Sequence, residues 1–178
     1  PLIETLTGSK VWAGLMGNLA QALQWMPQML ASRWVEPRRH KLPLYRYFGA
    51  LRLTCYLGAA LTVFLLLHGA WRPRALWAAA LITFFIASNG FANGFSSLCY
   101  QDVVAKVVPP GRLEFFFGLR MFLGRGLQFA VSFFWIPYVL AGATGLAFPR
   151  NYAVLFFSAF GFAALAIGSF LLIREPPS

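Results

Sequence analysis

Five long apolar runs, separated by short connectors that carry Pro or Gly together with charge, constrain this sequence more than any other feature. They fall at Val11 to Ser32, Phe48 to Ala70, Ala75 to Cys99, Phe115 to Leu140 and Asn151 to Ile173. An α-helix of about 20 residues crosses the roughly 30 Å hydrocarbon layer of a bilayer. The chain is 59% hydrophobic and only 11% charged, whereas a soluble domain is about a quarter charged. A soluble fold of 178 residues has no interior large enough for so many apolar side chains. The expectation is an all-α membrane protein: one domain over residues 1–178, with five transmembrane helices and the lipid bilayer as its surroundings.

The net charge of +10 raises the alternative of nucleic acid, which a protein binds through Lys and Arg gathered on one soluble face. Here the bases lie between the apolar runs, a distribution that fits the positive-inside rule and argues against a nucleic-acid partner. Arg33, Arg38, Arg39, Lys41, Arg46, Arg52, Lys106, Arg112, Arg120, Arg125 and Arg174 share one side, and Lys10, Arg72, Arg74 and Arg150 the other. The first side is therefore expected to be cytoplasmic, with the C-terminus inside and the N-terminus outside. An external start with no visible secretory signal leads to the expectation of a fragment lacking one N-terminal helix.

Polar residues on these apolar runs fall into faces. At about 100° per residue, Asn89, Asn93, Ser96 and Tyr100 lie within an arc of roughly 60°. Arg125, Gln128 and Ser132 share a second face, and Gln21, Gln24 and Gln28 join Gly14 and Gly17 on a third. Such side chains are costly against lipid, so they face protein or a water-filled cavity. For the Asn89 face, cavity lining and interhelical hydrogen bonding stand level, because Gly90 and Gly94 suit close helix packing. Arg125, the deepest cation by this reading, either snorkels to the interface or meets an anionic group in a cavity. Asp102 is expected to pair with a loop arginine, and Pro27 to loosen or kink its helix. By these faces, the first, third and fourth spans point inward and the second and fifth lie at the periphery.

Signals for catalysis are weak. Cys55 and Cys99 have no CxxC spacing, and His40 and His68 fall on opposite sides of the membrane, so no metal or cofactor site is expected. None of the acids Glu4, Glu36, Asp102, Glu114 and Glu175 lies mid-membrane. Gly118, Gly124 and Gly126 suit helix packing better than a phosphate-cradling loop.

Several motifs resemble bacterial major facilitator superfamily transporters. The stretch GNLAQALQWMPQMLASRWVEPRRHKLPLY is similar to the second helix and basic loop of one branch, with Pro27-Gln28 near the inner end and then Val35-Glu36. The elbow DVVAKVVPPGR, followed by Phe116-Phe117-Gly118, resembles that branch's passage from its fourth to its fifth helix, and REPPS the end of its sixth. The loop after the first span lacks the superfamily's glycines, and the third span lacks the arginine that many proton-coupled members carry. The resemblance implies an incomplete six-helix bundle, helices two to six, of a transporter in the bacterial inner membrane. It further implies a small-molecule substrate, and partners in a first helix and a second six-helix bundle outside this sequence. The function expected is part of a secondary-active transporter, not an enzyme; the alternative is a non-transporting membrane subunit or assembly factor.

Overall fold

Within the described residues each apolar run is mostly helix in the computed structural model, which describes residues 2–34, 40–66, 74–141, 145 and 148–173, save for the side chains of residues 28, 30–34 and 66. The order is α1 Leu2–Thr7, α2 Lys10–Trp34, α3 Leu42–Leu66, α4 Ala75–Val107, α5 Pro110–Ala130, a π turn Val131–Trp135, α6 Ile136–Leu140 and α7 Arg150–Leu171. No strand occurs among the described residues. Three helices, α3, α4 and α7, are individually long and apolar enough to cross a membrane, and they mark the protein as membrane-embedded. The more polar α2, and α5 with its arginines, do not reach that threshold alone.

Local chemistry sets the boundaries. Gly8, at a φ of 69°, ends α1 with its N–H on the Glu4 carbonyl at 2.7 Å, a left-handed helix stop that glycine adopts without a Cβ penalty. Ser9 then caps α2 by accepting the Trp12 N–H at 3.3 Å. The connector expected from Gln101 to Glu114 is mostly helix. Helix α4 runs on to Val107, and α5 begins at Pro110. Val108 and Pro109 are extended, as residues preceding proline must be, while Pro110 fits the first turn of α5, where no N–H is needed. Pro137 would clash with a carbonyl one turn earlier in an ideal α-helix. The π turn relieves this, the Ile136 N–H reaching five residues back to Val131.

Helix α4, with 33 residues about 50 Å long, is the centre of the bundle. It packs against α1, α2 and α3, and α3 packs in turn on α7. Small residues make these contacts close. A Cβ at Gly90 would sit 2.3 Å from the Ala20 carbonyl oxygen, and one at Gly94 2.4 Å from that of Gln24. Across the α3–α4 contact, a Cβ at Gly58 would meet the Phe85 ring at 2.5 Å. The second span, expected at the periphery, is thus held between α4 and α7. The chain stays helical through Pro27, whose ring is buried beside Gly94. By contrast α5 has no buried residue.

Two apolar clusters close the ends of the bundle. At one end Leu2, Ile3 and Leu6 of α1, a helix that the sequence reading did not anticipate, pack on Val63, Ala78, Ile82 and Ala153. At the other, Leu42 and Tyr45 meet Phe95, Cys99, Val103, Ile167 and Phe170. Lys41, just before α3, pairs there with Asp102 of α4. The partner of Asp102 is therefore a lysine rather than the expected arginine.

Candidate functional site

A cavity of about 700 Å³ opens at the Lys41–Asp102 end of the bundle, walled by four helices. Helix α3 contributes Tyr45 and Arg52, α4 contributes Asn93, Ser96, Ser97 and Tyr100, α5 contributes Phe116, Leu119, Arg120 and Leu123, and α7 contributes Ile167 and Phe170. Arg52 is ten positions past the start of α3, and Arg120 ten past the start of α5. Each is about 15 Å along its helix.

Tilted rings form a cluster against which one of these cations sits. Tyr45 and Phe170 lie 4.5 Å apart, and Phe170 and Tyr100 4.9 Å. The Arg120 guanidinium carbon sits 4.3 Å from the Tyr100 ring centre, a cation–π contact worth about 0.5–2 kcal/mol. Two other polar groups are buried without a hydrogen-bond partner among the described residues: the Arg52 Nε and the Ser96 hydroxyl. Ser96 is only 1% exposed. Buried groups of this kind usually find partners, so the pair marks a place equipped for something that supplies acceptors.

A second, mostly apolar cavity of about 350 Å³ lies between α3, α4 and α7. Asn89 reaches it and donates from Nδ2 to the Tyr56 hydroxyl at 3.4 Å, while its Oδ1 is buried and unpaired.

The structure divides the residues singled out in the sequence. Asn93, Ser96 and Tyr100 come together in the larger cavity, and Asn89 is separated from them into the smaller one. The division is one of height: Asn89 and Ser96 share a face but stand about 10 Å apart along α4. Gln21 is exposed, Gln24 is half-buried with its carbonyl against Gly94, and the Gln28 side chain lies outside the described residues. Arg125, Gln128 and Ser132 are exposed and line neither cavity. On this exposed stretch Arg125 donates to the Gln128 Oε1 at 3.2 Å.

Tyr45, Arg52 and Arg120 escaped the sequence reading as site residues. With α3 begun at Phe48 and α5 at Phe115, both arginines look like first- or second-turn interfacial charges. The signal that finds them is Pro43 and Pro110, prolines suited to a helix's first turn, which move both starts upstream. Among the described residues no group of three or more metal-ligating side chains converges. No family model, curated protein or solved structure matches this chain.

Proposed function

We propose that the chain is part of a secondary-active transporter of the bacterial inner membrane, moving a small solute by alternating access. In this reading α2, α3, α4, the rod from α5 through α6, and α7 make five crossings, with the C-terminus in the cytoplasm. The bundle rocks against a second one that lies outside this sequence, as in transporters built from paired helical repeats. The supporting observation is the larger cavity, where Asn93, Ser96, Tyr100 and two arginines line one space between mostly apolar helices. Intramembrane polar and ionisable groups of this kind characterise substrate paths.

A second reading, a non-transporting subunit, draws on the α2–α4 contact. There Gly90 and Gly94 bring backbones together in a way that also occurs in purely structural membrane bundles. Thiol accessibility separates the two. With Cys55 and Cys99 replaced by alanine, Asn93→Cys should react with a membrane-impermeant thiol reagent in inverted vesicles, because a transport path is wet. If Asn93→Cys is inert in both inverted and right-side-out vesicles, the cavity is dry packing space and the subunit reading stands.

A further inference from the structure

Among the described residues, the larger cavity contains two guanidinium groups and no acid. Of the described acids, Asp102 is engaged by Lys41. Glu114 is exposed on α5, six positions before Arg120 and so about 120° away around the helix. Neither lines the cavity, and nor does Glu4. Arg52 and Arg120 thus line one cavity, the exposed Arg120 set against a tyrosine face and the Arg52 Nε with no acceptor among the described residues. Like charges lining one cavity repel each other, and an anion between them reverses the sign of that interaction. The buried Ser96 hydroxyl supplies a further donor on the same wall. Phe116, Leu119, Leu123, Ile167 and Phe170 supply an apolar part of the lining, beside the polar Asn93, Ser97, Gln101 and Ser169.

We propose that this cavity binds an amphiphilic anion, its carboxylate or phosphate head held by Arg52, Arg120 and Ser96 and its hydrocarbon body against Phe116, Leu119 and Phe170. The inference rests on the cavity being a binding chamber, as in the transporter reading, and not on transport itself. Guanidinium groups match the planar carboxylate and the phosphate oxygens through paired N–H donors. Two sources offer that chemistry, an anionic lipid and a soluble organic anion.

The test is calorimetric titration of the chain in phosphatidylcholine nanodiscs with octyl phosphate, octanoate and octanol. Octyl phosphate or octanoate should bind at least about tenfold more tightly than octanol, the scale of one charge-assisted hydrogen bond. Arg52→Gln and Arg120→Gln should each weaken anion binding by about tenfold, and Arg125→Gln should leave it unchanged. Arg52→Lys, which keeps the charge, retains more binding than Arg52→Gln. Circular dichroism and gel filtration confirm folding, and Arg120→Gln, on the exposed helix, carries the test if Arg52→Gln misfolds. Native mass spectrometry with added phosphatidylglycerol separates the sources: lipid retained by the wild type and lost in Arg120→Gln identifies lipid, whereas octanoate binding without lipid retention identifies a soluble anion. Equal affinity for octanol and octyl phosphate, or folded arginine variants that bind like the wild type, overturns the proposal. Transport is not read in this experiment, so a failure to bind anions leaves the Asn93→Cys result to judge the transporter reading separately.

Discussion

Tyr100 joins the two kinds of chemistry in the larger cavity. One side of its ring belongs to the aromatic stack with Phe170, and Arg120 is seated over the ring. Tyr100→Phe keeps both contacts and should change stability by less than about 0.5 kcal/mol, within the range of mild substitutions. Tyr100→Leu loses a cation–π contact worth about 0.5–2 kcal/mol and an aromatic pair worth about 0.5–1.5 kcal/mol. It should therefore destabilise the bundle by about 1–3 kcal/mol, measured by SDS-induced unfolding in micelles. If the two variants unfold together, the ring contributes volume only. Asn93, Ser96 and Tyr100 were legible as a group because helical periodicity alone brings them to one face. Arg52 was not. Periodicity within α3 cannot show that its arginine meets one from α5, since that meeting depends on how helices distant in sequence cross.

At the scale of helices, two glycines decide how closely α2 approaches α4. Glycine inside a helix costs about 1 kcal/mol relative to alanine, so its retention at an interior position calls for a compensating contact. Gly94 has one: a Cβ there would press on the Gln24 carbonyl and the Pro27 ring, neither of which can swing aside. Gly118, Gly124 and Gly126 lack such a contact among the described residues, where a Cβ meets nothing within 4 Å. Gly94→Ala should consequently lower stability by up to about 2 kcal/mol, the overpacking cost less the propensity gain. Gly118→Ala should be neutral or up to about 1 kcal/mol stabilising. Unfolding titrations of both variants check this, and Gly94→Ala proving as stable as Gly118→Ala would show that the α2–α4 contact is loose. Most of each long helix was readable from its apolar run, whereas the short α1 lies in none of them. The ends were less so, because α4 continues past the apolar stretch through Asp102 and Lys106, residues fit for a solvated helix end but silent in hydropathy.

For the whole molecule, the question is how helices of unequal polarity share one membrane. On insertion scales an arginine at a helix centre costs about 2.5–3.5 kcal/mol, and each Leu or Phe returns only about 0.3–0.6. Helix α5, with Arg120 at its middle and Arg125 in its second half, is therefore a poor span by itself. The π turn changes this by carrying the helical path past Pro137 to Leu140. Residues 115–140 then offer a longer, mostly apolar stretch with Arg120 and Arg125 in its first half, where a long side chain can reach toward the interface. Five crossings follow if α2 is carried in by its contact with α4 and α5 by its continuation into α6. The expected outcome is that reporters fused after residue 37 and after residue 72 lie on opposite sides of the membrane, with the first cytoplasmic. A phosphatase active only outside and a fluorescent protein that matures only inside read the two positions in the same cells. A segment covering 115–140 should integrate in a translocon assay, whereas 110–130 should not. Reporters on the same side would mean that α3 does not cross, leaving Arg52 outside the membrane and the cavity without one of its walls.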